Sequence, residues 1–211
     1  MDRKFMYYGG ILSPIFFVLV DIIGGMITPD YSRIINAVSE LTQAGSENIY
    51  LLSSLFFISA VMGIVFGIGI VTEFSYSRSK LIFSGGILII INGIFSGLTG
   101  TIFPMDLFNV DITFAGTMHI ILTALNALMI MLLIPMMGIG FYRERQWVSF
   151  RLYSIITLLI IVIFGGSTPL LMMNDIGLLG LFERIVIYSY LLWFFVLAFK
   201  LIRDHQAMEM Q

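Results

Sequence analysis

The sequence predicts an all-α, polytopic membrane protein: one domain over residues 1–211, six transmembrane helices, and both termini in the cytoplasm. Three observations predict it. The chain is 59% hydrophobic and only 11% charged, with a mean hydropathy of +1.01. A soluble domain carries about 25% charged residues, and a chain of this size has no interior large enough for so much apolar side chain. The apolar residues fall in six continuous runs, which suits helices and not the alternating strands of a barrel. The basic residues are distributed unevenly about those runs.

The first run, Phe5–Ile27, follows Arg3 and Lys4 as a signal peptide would. It is long, contains Asp21 and has no small-x-small cleavage site after it, so it is read as a retained span. The second, Tyr50–Phe74, carries Ser59, Gly63 and Gly67 at helical spacing. The third, Leu81–Phe103, carries Gly93 and Gly97 and a polar stripe of Asn92, Ser96 and Thr99. Both glycine pairs are small-xxx-small patterns, which pack helices of one chain or join two copies of it. The fourth, Phe114–Phe141, begins with His119, Thr123 and Asn126 on one face and is apolar from there to its end. The fifth is Leu152–Met173, and the sixth, Leu181–Leu201, opens with Glu183 and Arg184. "GGIL" recurs at Gly9 and Gly85, and prolines stand near the ends of alternate spans at Pro29, Pro104 and Pro169. This pattern reads equally as three repeated hairpins or as common helix-end chemistry.

Placing both termini inside puts Arg3, Lys4, Arg78, Lys80, Arg143, Arg145, Arg151, Lys200 and Arg203 on the cytoplasmic side and only Arg33 and Arg184 outside. Asp30, Glu40, Glu47, Asp106, Asp111 and Asp175 then lie outside. The expected location is a cell membrane, crossed six times.

The first outer loop is the longest polar passage. From Ser32, Ile34, Ile35, Val38 and Leu41 recur at helical spacing until Gly45, which predicts a short amphipathic helix at the interface or over the bundle mouth. Ionised or amide side chains in hydrocarbon must find each other or water. The polar groups belong to the outer half and the inner half has almost none, so one outward-facing polar pocket is expected. Asn92 and Asn126 form its floor, Asp21 and His119 its wall, and Asp106, Glu183 and Arg184 its rim, with Ser39 and Glu40 above.

Asp21, Asp106, His119 and Glu183 are the candidate catalytic set, and the candidate ligands of a divalent metal. Ser39, Glu40, Arg184, Asn92 and Asn126 are candidate substrate contacts, with Arg184 suited to an anionic head group. The bland alternatives are a hydrogen-bonded interior histidine, a turn aspartate, and asparagines joining helices. No nucleotide loop or hydrolase motif is present, and nothing suggests nucleic-acid binding. His205 lies in the C-terminal tail, so no second intramembrane histidine exists for a haem. Three functions remain: a membrane-embedded hydrolase or transferase on a lipid or lipid-linked substrate, a small proton-coupled transporter or channel, and a non-catalytic component binding a partner protein. Membrane lipids are expected partners, and self-association would use the Gly63/Gly67 or Gly93/Gly97 face.

Tyr31-Ser32, Asn36, Ser39-Glu40-Leu41, Phe103-Pro104-Met105-Asp106, His119, Glu183-Arg184 and Trp193 together resemble an uncharacterised prokaryotic six-helix membrane family, domain of unknown function 998. The resemblance covers nearly the whole chain. It departs at Thr117-Met118-His119, where a glycine commonly stands near the histidine, and so does not extend close packing to that point. It implies the six-helix fold and marks the outer residues, but implies no activity.

Overall fold

A computed structural model describes residues 3–75, 79–107, 110–174 and 176–209. Arg78 and Asp175, counted above with the flanking charges, lie outside the described residues. Six helices follow in order: α1 (Arg3–Ile27), α2 (Ile49–Phe74), α3 (Lys80–Thr101), α4 (Phe114–Arg145), α5 (Val148–Met173) and α6 (Leu179–Glu209). There is no strand among the described residues. Each helix is long and apolar enough to cross a bilayer. The chain is a multi-pass membrane protein whose spans agree with the hydropathy runs to within a few residues, except that α6 continues well past Leu201. Pro169 does not end its helix: α5 runs through it to Met173, and the Ser167 and Thr168 hydroxyls bond back to the Ile163 and Phe164 carbonyls.

Consecutive helices pack against one another, and α6 returns to α1, closing a ring of six. Glycine explains how closely. A Cβ on Gly9 would strike the Met62 carbonyl, and one on Gly86 would press on Val71 and Ile70, so both "GGIL" motifs are surfaces against α2. Gly67 faces Gly86 and Ile90, and Gly93 faces Ala60 and Ile64. The small-residue patterns pack helices within the chain, as one of their two expected uses: Gly67, Gly93 and Gly97 face the α2–α3 contact, and Gly63 faces Ser13 of α1 and Phe194 of α6.

The two ends of the bundle differ. At the end holding both termini, Phe66, Phe141, Phe150, Trp193 and Leu197 belong to one large buried cluster. At the opposite end, here the loop end, Val20, Val38, Leu41 and Leu52 form a smaller one. Val38 and Leu41 come from the α1–α2 connection, which plugs that end. The connection differs from the expected amphipathic helix. Residues 32–36 turn without making a helix, and only Val38–Thr42 coil, as a short 3₁₀ turn. Ile34 and Ile35 stay exposed, while Val38, Glu40 and Leu41 are buried. Helical spacing misleads here because the carbonyls of Arg33, Ile34, Ile35 and Asn36 accept from α6 and are not free to bond a following helical turn.

Candidate functional site

The plug is held to α6 by main-chain bonds. The first turn of a helix has N–H groups without intrahelical partners. Here Gly180 N donates to Ile35 O at 3.1 Å and Leu181 N to Ile34 O at 2.9 Å. The approach is close enough that a Cβ on Gly180 would collide with the Asn36 and Arg33 carbonyls. Glu183 adds a third bond, accepting from Val38 N at 2.6 Å. Glu40 fixes the plug internally, accepting from Ala37 N and from Asn36 Nδ2, both at 2.7 Å.

Beneath the plug lies a buried ion pair. Asp21 of α1 is 1% exposed and Arg184 of α6 is 6% exposed. Arg184 Nη2 reaches Asp21 Oδ1 at 2.7 Å, and Nε lies 3.2 Å from both carboxylate oxygens. Arg184 Nη1 donates to the carbonyls of Arg33 (2.7 Å), Asn36 (2.9 Å) and Gly180 (3.0 Å). Its remaining N–H donates to the Tyr31 hydroxyl, which itself donates to Ala37 O at 2.8 Å. Every guanidinium donor is therefore used, and none is left for a head group, the role expected for this side chain. Tyr188 Oη also donates to Asp21. Burial pushes the Tyr31 hydroxyl up to about 12, against the opposing pull of Arg184, so it stays protonated at neutral pH.

Asp21 alone pairs with the guanidinium, while Glu40 and Glu183 bond the plug above it. Asp21 and Glu40 have both oxygens bonded. Glu183 uses only Oε2, and among the described residues no donor reaches its Oε1.

The other expected site residues lie elsewhere. Asn92 Nδ2 donates to Asn126 Oδ1 at 2.9 Å, Asn126 Nδ2 to Ser96 Oγ at 3.3 Å, and Tyr190 Oη to Asn92 Oδ1 at 3.3 Å. That network ties α3, α4 and α6 together. Asp106 serves the start of α4, accepting from Thr113 N and Oγ1 at 2.8 Å, while Thr113 accepts from Gly116 N. A Cβ on Gly116 would overlap the Asp106 carboxylate, so the close packing not expected near His119 is present and rests on Gly116. His119 Nδ1 bonds Phe103 O at 2.8 Å, and Ser39 Oγ bonds Met105 Sδ at 3.3 Å. The single pocket is therefore divided. Asp21, Glu40, Glu183 and Arg184 come together, whereas Asp106, His119, Ser39, Asn92 and Asn126 have separate partners. Asp21, Asp106, His119 and Glu183 do not form the expected metal set, and no three such side chains converge among the described residues.

Sequence reasoning missed Tyr188, although it lies one turn after Arg184 on α6. It also missed a cluster at the termini end, where Arg145 bridges Glu73 at 3.3 Å and Asp204 at 3.1 Å, and buried Tyr7 donates to Glu73. A carboxylate in the last turn of an apolar span was the available signal. That end therefore carries polar groups, contrary to the expectation that the inner half has almost none.

No curated protein and no solved structure matches the chain. A family model described as "Protein of unknown function (DUF998)" matches residues 11–200, nearly the whole helical bundle, and the chain belongs to that family.

Proposed function

We propose that the chain is a membrane-embedded hydrolase or transferase acting on a lipid or lipid-linked substrate, with Glu183 as the acid–base group. The observation that carries this reading is the free Oε1 of Glu183 in a cluster whose other carboxylate oxygens are bonded. Glu183 is only half-buried, so that oxygen is within reach of a reactant at the edge of the plug. In this reading the plug lifts, Glu183 takes a proton from an attacking water or acceptor hydroxyl, and returns it to the leaving oxygen. Asp21 and Arg184 hold α1 against α6 around it. No step is assigned to a metal, because the candidate ligands are spread over three places. The plug and cluster face outward in this reading, with both termini in the cytoplasm, as the basic residues suggest.

The test is incubation of the full chain in nanodiscs containing phosphatidylglycerol, phosphatidylethanolamine and a polyprenyl phosphate, with products read by mass spectrometry. Turnover that Glu183→Gln abolishes, with melting unchanged, is expected. No product from any of the three, or full turnover by Glu183→Gln, overturns the reading.

A second reading, proton-coupled transport, is favoured by polar stations along α1: Asp21, then Ser13 bonded to Ser59, then Tyr7 bonded to Glu73. Their separations along the helix, about 12 and 9 Å, require water between them. Proton flux into liposomes that Asp21→Asn stops would support it.

A further inference from the structure

The Arg184 guanidinium is saturated, yet a second guanidinium at the loop end is not. Arg33 is exposed, and its Nη2 lies on the last turns of α1, donating to the carbonyls of Ile22 at 3.0 Å and Asp21 at 3.3 Å. Gly25 makes room for it: a Cβ there would come within 2.8 Å of Arg33 Nε. Among the described residues no carboxylate pairs with Arg33, and its Nε and Nη1 have no acceptor. The side chain is thus anchored by one nitrogen and presents the rest of its fork outward.

Directly along the helix from that anchor runs an apolar groove of about 330 Å³ between α1 and α6. Ile15, Val18 and Leu19 line one side and Leu191, Leu192 and Phe195 the other. Ile22, whose carbonyl holds Arg33, follows Ile15, Val18 and Leu19 on the same helical face. Tyr188 closes the head of the groove, and its hydroxyl is bonded to Asp21. From Ile15 to Ile22 the helix rises about 10 Å, a length that an alkyl chain can follow.

We infer that this is a binding site for an anionic phospholipid, with the phosphate on the unused N–H groups of Arg33 and one acyl chain in the α1–α6 groove. Charge complementarity identifies the occupant: a guanidinium with no carboxylate partner and unused N–H donors suits a phosphate, and an apolar trough below it matches hydrocarbon. A zwitterionic lipid brings its own cation and gains less. The site deepens the lipid reading by naming the lipid class. It is read by retention and not by turnover, so either proposal can fail while the other stands.

The experiment is native mass spectrometry of the full chain in detergent, titrated with phosphatidylglycerol or with phosphatidylcholine. The wild type is expected to prefer phosphatidylglycerol. Arg33→Gln should weaken that lipid about tenfold, to the level of phosphatidylcholine, and Arg33→Lys should recover part of the loss. Leu19→Trp, which fills the groove and leaves the charge, should weaken both lipids. Equal binding of the two lipids by the wild type overturns the inference, as does a preference that survives Arg33→Gln. A dimer that Leu19→Trp disrupts would also overturn it, by giving the groove to a second copy.

Discussion

Arg184 is the residue on which the loop end depends, because one planar fork bonds α1, the plug and its own helix at once. Removing one member of a buried ion pair leaves the other charge without compensation and costs about 3–5 kcal/mol. Arg184→Gln and Asp21→Asn should each destabilise the detergent-solubilised chain by about that much, seen as a lowered melting temperature. The double variant should lose clearly less than the sum, since neither side then strands a charge; strict additivity would deny the pairing. Tyr31 adds a pH signature. Its hydroxyl titrates near 12 in the folded chain and near 10.0 unfolded. The folded state therefore holds the proton longer, and its stability is intact below pH 10, falls between about 10 and 12, and levels off above. Melting measured across that range should show a decline that is shallower in Tyr31→Phe.

At the scale of elements, the α1–α2 connection and the start of α6 form one unit. The sequence reveals little of this, and the reasons are physical. Six spans are legible because hydrocarbon demands long apolar helices, and that demand is written locally. Asp21 and Arg184 are each legible as costly intramembrane charges, but they are 163 residues apart. The acceptors that complete their site are carbonyls of Arg33 and Asn36, which no side-chain pattern encodes. His119 and Asp106 are misread for the opposite reason: each finds a partner close by, at the α3–α4 turn, and has no need of a distant cluster. Gly180 tests the unit. Gly180→Val puts a branched side chain against the Asn36 and Arg33 carbonyls, and it should free the plug to trypsin cleavage at Arg33 while the helical content by circular dichroism stays. Resistance equal to wild type would show that the close approach is unimportant.

At the scale of the whole molecule, the large apolar and aromatic core lies toward the termini end, beside one ion-pair cluster, and polar groups with a plug occupy the other. An end that needs only stability can be packed with Phe and Trp. On the proposed reading the loop end opens, which needs contacts that can be broken, and polar bonds to a loop serve that purpose. The chain has no cysteine, so single cysteines report topology cleanly. In intact cells an impermeant maleimide should label Glu47→Cys and leave Gln206→Cys unlabelled until the membrane is opened. The reverse pattern would invert the proposed orientation.

The most direct measurement is hydrogen–deuterium exchange of the segment from Tyr31 to Thr42 in the wild type and in Arg184→Gln. If α6 clasps the plug, the wild-type segment exchanges nearly as slowly as the helices, and the variant exchanges about a hundredfold faster there while α2 and α3 are unchanged. Rapid exchange of this segment in the wild type, equal to that in the variant, would contradict it.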